Sequence, residues 1–298
     1  MKKAIILAAL TLMGAFLVST AAMAYDDLIT NDTAAVKAAG GLCGSASLLY
    51  LTASKYWDDD SKSQDIKDQK TGKDSDATHF RIPLRVNYGV MDKLTVFGIL
   101  PIVSINDGTE GESGIGDVWL GAKYGIMPDG LLTVRGALDV PAGDDEKGLG
   151  NAGGFGIDIA AMSMKQIDKI GMNGQVGIRY NVEGPEMDFV DPDTGTPYKV
   201  KYTPGLGIYF DAEGSYSFAE AITGIVGIEF MSVAKGESKI GSVTVDDEEG
   251  SNYLDLNIGA CYKLGEKIGL RGDIIYTLSG KMAAQAMGVL LRLGYMVK

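Results

Sequence analysis

The sequence predicts an all-β fold: a transmembrane antiparallel up-and-down β-barrel of about twelve strands, with short turns on one rim and longer loops on the other. Three observations predict it. His79-Phe80-Arg81-Ile82-Pro83-Leu84-Arg85-Val86-Asn87-Tyr88 alternates polar and apolar residues without a slip. A period of two is a strand signal, because successive side chains leave opposite faces of the pleat. The alternation recurs in segment after segment with no helical stretch to cover a sheet, and short and long connections alternate between the segments. A soluble exported β-sandwich shares the alternation. The missing cover and the turn–loop rhythm favour lipid on the apolar face and a wet interior on the other.

The elements follow in chain order. Met1–Ala24 reads as a cleaved secretory signal, with Lys2 and Lys3 at the start, an apolar run over Ala4–Val18 and a small-x-small site at Ala22-Met23-Ala24. That run is too short for a spanning helix with stop-transfer flanks. Residues 25–41 form a periplasmic N-terminal segment without barrel alternation. Asn31 or Asp32 is placed to cap a short helix through Ala39, ended by Gly40-Gly41. This segment is a lead-in, a small plug or a disordered end. Residues 42–298 are the barrel.

Twelve strands are expected: Leu42–Tyr56, Thr78–Val90, Lys93–Ile105, Gly114–Ile126, Gly130–Pro141, Ala152–Ile167, Ile170–Val182, Tyr202–Phe218, Ala221–Lys235, Ser251–Leu264, Lys267–Leu278 and Met282–Lys298. The long polar connections are Trp57–Ala77, Asn106–Ser113, Ala142–Asn151, Glu183–Lys201 and Gly236–Gly250. The short turns fall at Met91-Asp92, Met127-Pro128-Asp129, Asp168-Lys169, Ala219-Glu220, Gly265-Glu266 and Ser279-Gly280-Lys281. An even count returns both chain ends to the short-turn, periplasmic rim. Tyr88, Tyr124, Tyr180, Tyr262 and Tyr295 near strand ends fit an interfacial aromatic girdle. Lys93–Ile105 is the exception, apolar on both faces; its inner face meets a plug or a tight interior.

Parity separates charge from grease. The face opposite the apolar one collects His79, Arg81, Arg85, Asn87, Asp117, Lys123, Arg135, Asp139, Asp158, Gln175, Arg179, Asp211, Glu213, Glu229, Asp255, Lys263, Arg271, Asp273 and Arg292, which are expected to line a pore. These charges either pair across strands and fill the interior, or segregate to opposite walls and set up a transverse field that orients solutes. The net charge of −12 excludes a nucleic-acid partner and leaves no basic patch for anionic headgroups.

The two cysteines, Cys43 and Cys261, are no disulfide framework, and whether they meet depends on how the barrel closes. His79 is the sole histidine and has no motif-supplied nucleophile or orienting carboxylate, so no enzymatic activity is expected. Asp58-Asp59-Asp60 and Asp191-Pro192-Asp193 are acidic loop clusters without the glycine and distal glutamate of an EF-hand, and are read as solvated charge. No cofactor and no metal site are expected.

Several motifs resemble a known family. Gly114-Ile-Gly-Asp-Val-Trp-Leu-Gly-Ala-Lys-Tyr124 is similar to the G-x-G-D-x-x-L-G-x-K-Y strand of the outer-membrane family called "MetA-pathway of phenol degradation". Tyr88-Gly-Val-Met-Asp-Lys-Leu94 with Leu100-Pro101, Val140-Pro141-Ala142-Gly143 and Leu28-Ile-Thr-Asn-Asp-Thr33 resemble three further stretches of it, in the family's order. The resemblance implies a transporter-like barrel loosely associated with uptake of aromatic or other apolar compounds, and it brings no catalytic residues. The end, Tyr295-Met-Val-Lys298, departs from the terminal aromatic that the barrel-insertion machinery commonly reads.

The expected function is passage of small solutes across the bacterial outer membrane by passive diffusion through a charged lumen. The expected partners are the solute, outer-membrane lipid and lipopolysaccharide, and the insertion machinery. The alternative is a closed structural or adhesion barrel whose loops bind.

Overall fold

The structure, a computed structural model, describes residues 33–67, 71–108, 110–144, 149–150, 154–184, 187–190, 197–240, 243–246 and 250–297. The signal segment, the capping residues Asn31 and Asp32, and Asp191-Pro192-Asp193 fall outside these.

Twelve long strands form the wall: β1 Leu42–Ala53, β2 Ala77–Met91, β3 Leu94–Asn106, β4 Val118–Met127, β5 Leu132–Val140, β6 Gly156–Ile167, β7 Ile170–Asn181, β8 Gly207–Ala219, β9 Ile222–Val233, β10 Ser251–Leu264, β11 Ile268–Lys281 and β12 Met287–Met296. Each pairs antiparallel with its neighbours in sequence, and β12 returns to β1 from Cys43↔Met296 to Thr52↔Met287. Closure leaves no free edge in this wall. The ends meet on the short-turn rim, where the Val297 amide donates to the Leu42 carbonyl at 2.9 Å.

Alternation sorts the faces as a barrel requires. Leu84, Val86, Leu120, Val176, Ile208, Ile258 and Leu291 are exposed on the outside, as are all five girdle tyrosines. Their strand neighbours Arg85, Asn87, Lys123, Gln175, Tyr209, Asn257 and Leu290 point inward, mostly buried. A single-residue slip would put every charge on the lipid face, so the pattern itself fixes the register.

Four expectations need correction. No helix runs to Ala39. Residues 33–41 are non-helical because their amides bond to the wall: Lys37 N to Thr95 Oγ1 at 2.7 Å, Ala39 N to Asp92 Oδ1 at 3.1 Å and Gly40 N to the Gly89 carbonyl at 2.8 Å. Gly40 makes the bend into β1 at φ +75°, a left-handed conformation that costs glycine little. The Gly114–Ile126 strand breaks at Gly116-Asp117, leaving Gly111–Ile115 as a short separate piece paired with β3.

The third correction concerns the last hairpin. β11 runs on to Lys281, past the expected turn, and Ala283–Ala284 leaves the wall to pair with Lys55–Trp57, which also pairs with Ser63–Asp65. Fourth, the expected loops Glu183–Lys201 and Gly236–Gly250 carry strands of their own. Met187–Val190, Pro197–Thr203, Glu237–Ile240 and Val243–Asp246 build a four-stranded sheet above the long-loop rim. Val200 and Ser238 are buried on its inner side, so the loop sequences carry a short run of the same in–out alternation.

Candidate functional site

The inside of the barrel is the candidate site, and its two ends differ. Toward the long-loop rim, β1, β11 and β12 turn Leu49, Leu51, Ile275 and Leu290 inward, and Ile66, Ala284 and Ala286 from the loops pack onto them. Loop residues thus cover an apolar inner wall at the outer mouth. At the short-turn end residues 33–41 enter the barrel. Lys123 Nζ donates to the Thr33 carbonyl at 3.0 Å and Thr133 Oγ1 to the Ala34 carbonyl at 2.6 Å. Ala34 has no exposed surface and packs in one cluster with Met162 and Tyr209. The apolar inner face of β3 meets both expected alternatives. Thr95 bonds the inserted segment, and Phe97 and Ile99 pack with Trp119 and Ala137.

Between the two ends lies a polar layer. Arg135 on β5 pairs with Asp158 on β6 at 2.8 Å, and neither side chain is exposed. Tyr209 on β8 donates to the same carboxylate at 3.0 Å and accepts from Arg135, whose other amino group donates to Gln175 on β7 at 3.2 Å. One guanidinium therefore ties four adjacent strands. Tyr209 reaches it by lying flat on the wall over Gly177, its direct cross-strand partner, where a Cβ would overlap the ring.

Further round the wall Arg271 bonds Glu213 and Asp273, each at 2.7 Å, and Arg292 Nε donates to Ser47 at 3.1 Å. Asp211, Glu229 and Asp255 are direct partners in register across β8, β9 and β10 and lie almost wholly buried. Like charges placed directly opposite one another destabilise a sheet. Tyr253 donates to Glu229 at 2.8 Å, in a row otherwise crowded with carboxylates.

The charges are unequally shared around the barrel. On β2 to β7, Arg81, Arg85, Lys123, Arg135 and Arg179 face three carboxylates, Asp117, Asp139 and Asp158. On β8 to β12, Asp211, Glu213, Glu229, Asp255 and Asp273 face three cations, Lys263, Arg271 and Arg292. Strand order sets the Arg81–Arg85 strand, β2, across the barrel from β8. Lys263 is exposed near the short-turn rim, and His79 is buried near the other, paired in register with Leu51 and Ile105.

Asp117 does a different job from its neighbours. At the strand break its Oδ1 accepts the Ala142 and Gly143 amides at 3.0 and 2.9 Å, while the Gly116 amide donates to Pro101 at 2.9 Å. The Gly-x-Gly-Asp, Pro101 and Pro-x-Gly motifs thus meet in one joint at the long-loop side. Lys123 of the same motif holds Thr33 at the other side. Sequence reasoning missed Tyr209, Tyr253, Thr95 and Thr133; the glycine opposite Tyr209 is the one signal for a ring laid on the wall.

Among the described residues, no group of three or more His, Cys, Asp or Glu is placed to hold a metal ion. The Asp58 carboxylate is occupied by its own turn: Oδ1 accepts from the Asp60 and Lys62 amides at 3.1 and 2.8 Å, and Oδ2 from Gln64 at 2.9 Å. Cys43 and Cys261 are free, on β1 and β10 with two strands between them.

No protein-family model matches the chain, and no curated protein matches it. Among solved structures, an outer-membrane channel from Pseudomonas putida F1 is similar over 91% of this chain and 100% of that chain, at a TM-score of 0.70 and 16% identity. The β domain of the Bordetella autotransporter BrkA is similar over 86% of this chain and 98% of that chain, at a TM-score of 0.50 and 12% identity. The likeness is one of fold: the chain is built as a closed antiparallel β-barrel, as those two proteins are.

Proposed function

We propose that this protein is a non-enzymatic channel of the bacterial outer membrane, exported on a cleaved signal, that passes small solutes by passive diffusion. The motifs point to the phenol-degradation family it resembles, and so to apolar or aromatic solutes. The outer-membrane channel from Pseudomonas putida F1, which shares the fold, supports the channel part of this reading. One observation carries it above all: a closed wall, apolar outside, holds a net-basic inner half against a net-acidic one. Pure filler needs only local pairing. Segregated charge leaves a field across the interior that acts on whatever enters. Outer-membrane lipid surrounds the belt, lipopolysaccharide meets the loop sheet, and the barrel-insertion machinery is the remaining partner.

Ion conductance of the purified protein in a planar bilayer tests this, with discrete openings as the expected result. A persistently silent barrel would favour the second reading, a closed barrel whose loops bind a partner. Unexposed Arg135, Asp158 and Tyr209 in mid-barrel, under the inserted residues 33–41, favour that second reading. Replacing His79 by alanine leaves conductance unchanged under either reading.

A further inference from the structure

The barrel wall has no free edge, but the sheet above it has two. Its strands run in the order Met187–Val190, Pro197–Thr203, Glu237–Ile240, Val243–Asp246. Among the described residues no further strand pairs with either outer member. An unpaired edge offers a row of main-chain donors and acceptors to any extended chain. The two edges differ in sequence. Met187–Val190 has Pro185 two residues before it and Pro192 two residues after it, and proline cannot donate to a ladder. Val243-Thr-Val-Asp246 carries no proline and no lysine, residues that blunt edges in natural sheets.

Register decides which groups face out. Ile240 pairs with Val243 across a two-residue connection, Gly241-Ser242. Such a hairpin closes on a pair that exchanges both backbone hydrogen bonds, and bonded and non-bonded pairs then alternate. Lys239↔Thr244 and Glu237↔Asp246 are therefore the non-bonded pairs. The N–H and C=O of Thr244 and Asp246 turn away from the hairpin, onto the open edge. The same register sets Thr203, Glu237 and Asp246 in one row across three strands. Two like charges stand directly opposite each other there, an arrangement that destabilises a sheet, and the row holds no cation. Lys239, on the same strand as Glu237, is engaged with Glu183 Oε1 at 3.1 Å. The surroundings carry the same sign: the five long connections hold 23 of the 39 acidic residues and 8 of the 27 basic ones.

From this geometry we infer that the Val243–Asp246 edge is a docking site for a basic extended segment of a partner protein, added antiparallel as a further strand of the loop sheet. The segment's main chain exchanges hydrogen bonds with Thr244 and Asp246, which gives affinity. A lysine or arginine opposite Asp246 extends the Thr203–Glu237–Asp246 row with a cation beside two carboxylates, which gives specificity. A second copy of this chain fits poorly, because its own edge brings another Asp246 and another acidic rim. The site lies outside the barrel wall and is independent of whether the barrel conducts.

The test uses the full chain in neutral detergent and a labelled peptide, Thr-Lys-Val-Thr-Val-Thr, blocked at both ends and followed by fluorescence anisotropy. Saturable binding is expected, at least about tenfold tighter than that of the same peptide with glutamate in place of lysine. In the paired register the peptide's lysine lies opposite Asp246 and the threonine two places on lies opposite Thr244. N-methylation of those two amides is expected to abolish binding, and N-methylation of the two valines to leave it unchanged. Thr244→Pro, which removes an outward N–H and leaves the hairpin's own ladder intact, is expected to abolish binding; Asp246→Asn is expected to erase most of the lysine preference. No saturable binding, an equal response to the two methylation patterns, or equal binding of the lysine and glutamate peptides overturns the inference. The methylated peptides are compared on the unaltered chain, so the result does not depend on a variant keeping its loop sheet. A dimer in light scattering that Thr244→Pro dissociates also overturns it, because the edge then belongs to a second copy.

Discussion

At the scale of single residues, the interior is held by a few side chains with no room for error. Arg135 and Asp158 are unexposed, and removing one partner of a buried pair strands the other charge. Arg135→Met is expected to destabilise the folded barrel by about 3–5 kcal/mol in urea titration, and Asp158→Leu on the same chain to recover part of that loss. Asp255 runs the other way. It sits opposite Glu229 and already bonds Thr277, so Asp255→Asn keeps a neutral acceptor while removing a like charge. It should stabilise by roughly 0.2–1 kcal/mol in the same titration. Gly177→Ala forces the Tyr209 ring off the wall and should cost about 1–3 kcal/mol. The cost should shrink on a Tyr209→Ala background, where nothing remains to collide; an unchanged cost would place the strain elsewhere.

At the scale of elements, each strand stands or falls by its alternation. Val176 faces outward in the middle of β7, between inward Gln175 and Gly177. Val176→Arg should cost about 2–4 kcal/mol in lipid vesicles, the depth-dependent price of a lipid-facing charge, and much less in a soluble sandwich. The outer loop between β1 and β2 behaves as an element of its own. Its Asp58 carboxyl is held below the ordinary aspartate range, first by the Gln64 amide and then by the Lys62 backbone N–H. A carboxylate lowered on folding contributes above its unfolded value and loses that contribution as pH falls through the folded one. Amide exchange at Asp60 and Lys62 should therefore stay slow through the ordinary aspartate range and quicken only below it; Asp58→Asn should remove that dependence.

The same scale shows what a sequence can disclose. The strand spans were legible because the membrane enforces a strict period of two, and β3, β7 and β10 match expectation to within a residue or two at each end. The loop sheet was hidden because its strands are four to seven residues long, below the length at which alternation stands out from chance. The helix expected through Ala39 failed for a reason no local pattern carries. Its amides bond to Thr95 and Asp92, more than fifty residues away. Asp117 was legible as inward-facing, while its bonds to the Ala142 and Gly143 amides depend on a strand break that only Gly116 hinted at.

At the scale of the whole molecule, one rule organises the barrel: the outward face of the wall is apolar, and ionised side chains turn inward, where they share the interior with apolar clusters. Closure by β1 and β12 turns that local rule into an enclosed interior, and strand order turns it into unequal halves. Spin labels test the rule most directly. They would be placed singly in a cysteine-free background at outward Leu84, Leu120 and Val176 and at inward Ser45, Arg85 and Asn173. In lipid vesicles, the outward set is predicted to relax with dissolved oxygen and to ignore a water-soluble nickel complex, and the inward set to be shielded from acyl chains. Outward labels reached by the nickel complex, with inward labels reporting hydrocarbon, would contradict the account.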